Sequence, residues 1–200
     1  MYYFNWNYDM KKELFSLLIL LLILVSCSGN KIEDRFLSDL EDYSEAYNNN
    51  NWEKVVSMIY PKLFVITPKD EMIQMMKKLD SVGIKMTLNI NNIEKITDII
   101  TNGNENFCRI DYNSHMNVAI GTTQLPNIAL YKESFESNFG KENVKYDDSK
   151  KQFDINAHQS MIAVSNKDSN EWKYIEFNSG QADSIIEQLL PVEVLKKLKK

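Results

Sequence analysis

Cysteine and histidine are scarce in this chain of 200 residues, and the shortage removes whole classes of chemistry. The two cysteines, Cys27 and Cys108, cannot staple a disulfide scaffold. With the two histidines, His115 and His158, they make a transition-metal site of three or four soft ligands an unsuitable expectation, so no metal and no cofactor is assigned. There is no H-E-x-x-H, no paired C-x-x-C, no phosphate-cradling glycine loop and no G-x-S-x-G. Asp147-Asp148 and Asp154 lack the D-x-[DN]-x-[DN]-G order of a calcium loop and read as a solvated turn. A basic surplus is missing too: 23 Lys and Arg stand against 28 Asp and Glu, a net charge of −5, which argues against nucleic acid as a partner. The longest apolar run, Leu14 to Val25, is well short of the roughly 20 residues that cross a bilayer as a helix.

That short run is nonetheless the most informative stretch. Lys11-Lys12 precede it and Ser26-Cys27 follow it, the layout of a secretory signal: charged, then apolar, then small. Leu24-Val25-Ser26-Cys27 resembles the lipobox of bacterial lipoproteins. The resemblance implies cleavage after Ser26, lipidation of Cys27 and a mature chain tied to a membrane by its N-terminus. Residues 1–26 are then the signal, 27–31 the lipidated cysteine and tether, and 32–200 a single domain. Met1–Asp9 is aromatic and ends in an acid, so translation is expected to start at Met10, just before the two lysines. The expected location is the bacterial cell envelope. Ser28, rather than the aspartate that retains such proteins at the inner membrane, points to the outer membrane where the cell has one.

The period of the apolar residues divides the rest. Ile32, Phe36, Leu40, Tyr43 and Tyr47 make one stripe of a first helix, with Glu33, Asp34, Asp39, Glu41, Asp42 and Glu45 as a solvated face. Asn51 caps a second helix that Pro61 stops, and Leu63-Phe64-Val65-Ile66 reads as a short strand. Thr67-Pro68 opens a third helix, with Met72, Ile73, Met76 and Leu79 inward and Gly83 at its end. From Ile84 the period becomes two, through a bend at Asn91-Asn92 and a hairpin at Asn102-Gly103-Asn104. The return strand, Phe107 to Ile120, puts Cys108, Ile110, Tyr112, Met116, Val118 and Ile120 on one face. Arg109, Asp111, Asn113, His115 and Asn117 fall on the other. An inserted helix, Ile128 to Phe139, offers Leu130, Tyr131, Phe135 and Phe139 to the core and precedes a polar loop. Strands Phe153 to Val164 and Trp172 to Phe177 follow, then two short helices broken at Pro191, with Ile185, Ile186, Leu189, Leu190, Val192, Leu195 and Leu198 apolar.

This order, helices followed by long antiparallel strands, resembles the nuclear transport factor 2-like (cystatin-like) superfamily from Ile32 to Phe177. The implied fold is α+β: N-terminal helices packed in a strongly bent, cone-like antiparallel sheet, with an inserted helix and two short C-terminal helices. Those added helices could lid the mouth of the cone.

The resemblance also implies where to look for chemistry. Isomerase-like and cyclase-like members keep an acid, histidine or tyrosine inside the cone, and the nearest equivalents here are Asp111 and His115. They stand about 13 Å apart on one strand, too far to pair directly. The alternation argues against them, since it turns both away from the apolar face. His158, with Asn156 and Ser160, is expected in solvent for the same reason. Tyr131, Tyr146, Trp172 and Tyr174 could line a pocket or an interface, although strand aromatics are first of all core. Cys108 reads as a small buried residue.

With no convergent catalytic set, the expected function is a non-enzymatic, membrane-anchored lipoprotein whose domain binds a partner protein or a small apolar ligand. The alternatives are a pocket enzyme of the isomerase or cyclase type and an inhibitor or immunity-type lipoprotein. Superfamily members often dimerise through the outer sheet face, which would make Arg109, Asp111, Asn113, His115 and Asn117 a homodimer interface.

Overall fold

The computed structural model describes residues 31–177 and 181–199. The signal, Cys27 and nearly all of the tether therefore lie outside the described residues. The chain divides into two units, Met1–Phe36 and Leu37–Lys200. In the first, the described residues are helical; the account below concerns the second.

Helix α1, Lys31–Asn48, runs across that division. Beyond Phe36 it buries Leu40 and Ala46 and half-buries Tyr43 and Tyr47, the expected stripe. Asp39 departs from its expected solvated face: it is buried and accepts the Tyr174 hydroxyl at 2.5 Å. A buried carboxylate is tolerated where a donor meets it. Helix α2, Trp52–Ser57, begins where the Asn51 side chain accepts from the Lys54 amide, and it buries Trp52, Val55 and Val56.

Leu63–Ile66 is not a strand. Residues Pro61–Val65 form a 3-10 turn, with Val65 86% exposed. The sheet edge that a strand there could join is already used one segment earlier, where Tyr60 donates to the Tyr174 carbonyl and Tyr174 to that of Met58, both at 2.9 Å. Helix α3, Lys69–Ser81, follows Pro68, and no side chain caps it, so the Thr67 hydroxyl does not serve as expected. Ile73 is buried against the first two helices, while Leu79 is exposed rather than inward.

Six antiparallel strands make the sheet: β1 (Ile84–Ile96), β2 (Ile100–Asn102), β3 (Glu105–Ile120), β4 (Val144–Asp147), β5 (Gln152–Asn166) and β6 (Trp172–Phe177). The long pair β3 and β5 forms its spine. On β3's free side lie β1 and β2, and on β5's lie β4 and β6. Register shifts between Ile90 and Asn92, and between Ile93 and Lys95, bulge β1 at the expected bend and curve the sheet. Strand β4 falls where a loop was expected. Its four residues are too few to show a period, and pairing with Gln152–Ile155 makes them a strand.

The even residues of β3 face α1 and α4 (Ile128–Phe139), an inner face. Phe135 of α4 meets Phe153 edge-on at 5.0 Å, over Met116, Val118 and Ile155. Leu130, expected in this contact, is 64% exposed instead. The opposite face carries α5 (Gln181–Leu189) and α6 (Val192–Leu198). Ile186, Leu190, Val194, Leu195 and Leu198 pack there on Phe107, Ile162, Val164, Ile175 and Phe177. Each such side chain gains about 1.5–3 kcal/mol by burial, so this second core is a large part of the fold. Val192 is exposed, not part of it. The two C-terminal helices thus cover the back of the sheet and do not lid the inner side. The α+β class, the bent antiparallel sheet and the three added helices are as expected.

Candidate functional site

A cavity of about 370 Å³ opens on the inner face. Tyr43 and Tyr47, one turn apart, bring two rings from α1, and Met86 and Leu88 of β1 stand opposite. Tyr112 and Met116 come from β3, Gln159 and Met161 from β5, Tyr174 and Glu176 from β6. Phe139 at the end of α4 reaches the wall, so the inserted helix does contribute to closing it. Alternation explains the set: positions two apart on each strand share the inward face.

Glu176 is the singular group. It is solvent-exposed, although the protein packed beside it desolvates its carboxyl enough to push it above the ordinary range. The Gln159 amide donates to it at 3.5 Å and offsets this in part. Gln159 is itself held by the Ser114 hydroxyl, which donates to its oxygen at 2.6 Å. Burial raises the Tyr43, Tyr47 and Tyr112 hydroxyls, and the Glu176 charge adds to the effect at Tyr43 and Tyr112. These hydroxyls therefore stay protonated at neutral pH. The Tyr47 hydroxyl lies 3.3 Å from the Met86 sulfur. The cavity combines ring faces, thioethers and neutral hydroxyls with one carboxyl that can hold or release a proton.

The sequence-derived candidates distribute differently. Tyr174 lines the cavity, its hydroxyl turned to Asp39. Trp172 is buried at the start of β6, outside the cavity lining. Tyr131 donates to Gln124 at 3.0 Å and packs on the cluster under α4. Asp111 and His115 lie on the back of the sheet. His115 is half-exposed there, its Nε2 3.0 Å from Asp154 Oδ2. His158 Nδ1 stands 3.0 Å from Glu94 Oε2, beside a shallow polar hollow lined in part by Asn92, Asn113 and Asn156.

Asp111 is not solvated, contrary to the alternation. It is buried, accepts the Ser160 hydroxyl at 2.6 Å, and pairs with Arg109. The cause is α6, whose last carbonyl, at Leu198, accepts from Arg109 Nη1 at 2.5 Å. Arg109 and Asp111 are thereby internal, which removes them from the back-face surface that a second copy would meet. Cys108 is fully buried, and burial pushes its thiol up to about 12.

Glu176, Gln159, Tyr43, Tyr47 and Tyr112 were not among the sequence candidates. A signal did exist in Trp-Lys-Tyr-Ile-Glu-Phe, where an acid shares the inward face of a strand with two aromatics.

No family model matches the chain, and neither does any curated protein. Among solved structures it is similar to a candidate dehydratase from the nuclear transport factor 2-like family of Streptomyces avermitilis. The two share 11% identity over 72% of this chain and 90% of that one, with a TM-score of 0.34.

Proposed function

We propose that this protein is a membrane-tethered ligand-binding module, held by lipid on Cys27, whose inner cavity takes a small molecule with an apolar body. The observation that carries it is the cavity itself: about 370 Å³, walled by tyrosines and methionines, with Glu176 and Gln159 as polar fixtures. Small-molecule sites commonly have this size and this mixture. The lipid tether rests on Leu24-Val25-Ser26-Cys27 behind a short apolar run, and the bacterial cell envelope follows from it.

Ligand-observed NMR with benzyl alcohol as probe tests the cavity. Wild-type protein gives saturation transfer, and Leu88→Trp, which pushes an indole in from the edge strand, abolishes it. Equal transfer to both proteins would place the probe elsewhere and end the proposal. Metabolic labelling with a radioactive fatty acid tests the tether: label on the wild type and none on Cys27→Ala is expected, and unlabelled wild type refutes lipidation.

A second reading has one specific support. A carboxyl held above its ordinary range beside protonated tyrosines is suited to moving a proton on a bound ligand, so an enzyme of the isomerase or cyclase type would use Glu176. Asp111 and His115, on the other side of the sheet, have no part in that version.

A further inference from the structure

The cavity holds an acid without a base. Among the described residues that line it, Glu176 carries the one full charge, and no lysine, arginine or histidine is in the wall. Its hydrogen bond is the long one from Gln159 at 3.5 Å. An ionised carboxylate accepts through both oxygens, and a single distant amide leaves most of that capacity open to solvent or to a ligand.

The other lining groups fit one partner chemistry. The rings of Tyr43, Tyr47, Tyr112 and Tyr174 line the same cavity as the carboxylate, and an aromatic ring offers a face with negative electrostatic potential. Met86, Met116 and Met161 supply soft apolar surface that adapts to an irregular body. An anion would meet the negative charge of Glu176 and be repelled. A neutral molecule would draw no gain from the carboxylate's charge. A divalent metal ion would need a set of oxygen ligands that one carboxyl does not supply. An organic cation neutralises Glu176, lies on the ring faces and buries its hydrocarbon among the methionines.

We infer that the cavity binds a small organic ammonium compound, its cationic head at Glu176 and its apolar body among the tyrosines and methionines. This rests on the cavity being a ligand site as proposed above, and it names the ligand's class.

Isothermal titration of the full-length protein in lipid nanodiscs, with empty nanodiscs as blank, separates the two claims. Three probes share one ring: benzyltrimethylammonium, benzyl alcohol and phenylmethanesulfonate. The cation is expected to bind at least about tenfold more tightly than the alcohol, and the sulfonate not at all. Glu176→Gln, close in shape to the native residue, is expected to remove the preference for the cation, so that cation and alcohol bind alike. Glu176→Asp is expected to retain it. An alcohol that binds as well as the cation, or a preference that survives Glu176→Gln, overturns the ammonium assignment while the cavity stands. Failure of all three probes on wild-type protein overturns both.

Discussion

Arg109 and Asp111 form an ion pair sealed beneath the last helix, each side chain only 12% exposed, with Nε 3.0 Å from Oδ1. Nη2 donates to Oδ2 at 3.2 Å, and Nη1 to the carbonyl of Leu198. One guanidinium thus neutralises a buried acid and satisfies a carbonyl at a helix C-terminus, where positive charge is favoured.

Truncating Arg109 strands the carboxylate. Arg109→Met is expected to cost about 3–5 kcal/mol, because the loss leaves a buried charge without its partner. His115→Ala, which breaks a half-exposed pair with Asp154, should cost about 0–1 kcal/mol. Urea unfolding measures both. Hydrogen exchange should also find α6 more open in Arg109→Met, and similar costs for the two variants would contradict this account of the pair.

Gly83 and Gly121 close the end of the β1–β3 ladder. The Gly121 amide donates to the Gly83 carbonyl at 2.8 Å, and a Cβ on Gly121 would lie 2.9 Å from that oxygen. The obstacle is backbone and cannot rotate away. Gly121→Ala is therefore expected to destabilise by about 1–3 kcal/mol through overpacking. Gly103→Ala has open space and bears only the strain of φ +60°, about 1–2 kcal/mol. Gly83→Ala combines strain at φ +80° with a 3.2 Å contact and should exceed Gly103→Ala. Thermal unfolding of the three variants checks the order.

Glu176 makes stability depend on pH in an unusual sense. Its folded-state pKa is raised, so between the ordinary carboxyl value and the raised one the native state binds more proton than the unfolded chain. Its contribution is present in full below the unfolded pKa and is lost as pH rises through the folded one. Glu53, Asp147 and Glu193 are shifted the opposite way and favour the fold as pH rises. The comparison must therefore be a difference. Relative to wild type, Glu176→Gln should gain melting temperature as pH is raised from about 4 to about 8. A difference that is flat across that range would refute the shift. The exposure of Glu176 keeps the size of the effect below that of a fully enclosed acid.

Cys108 is expected to resist alkylation. With no exposure and a thiol pushed up to about 12, almost none of it is thiolate near neutral pH. Iodoacetamide should label the Cys108 peptide only when denaturant is present, as read by mass spectrometry. Rapid labelling of the native protein would show that β3 opens.

Periodicity in the amino-acid sequence was sufficient for the helices, the switch to strands at Ile84, the bend at Asn91-Asn92 and the hairpin at Gly103. Those are local consequences of side-chain spacing and backbone freedom. It was also sufficient to set Asp111 and His115 on the face opposite Tyr112 and Met116, since alternation along one strand needs no partner. What lies over each face is a different matter. Whether Asp111 meets water or α6 depends on contacts some 90 positions apart in the chain, which alternation does not encode. The same holds for Leu63–Ile66, apolar enough for a strand but left without an edge to join because Met58–Tyr60 already pairs there. The cavity is the fullest case. Tyr43, Tyr112, Gln159 and Glu176 each look like ordinary residues of a helix or strand. Only the curvature of the sheet, and its packing with α1 and α4, turns them toward one another and places one carboxyl among apolar walls.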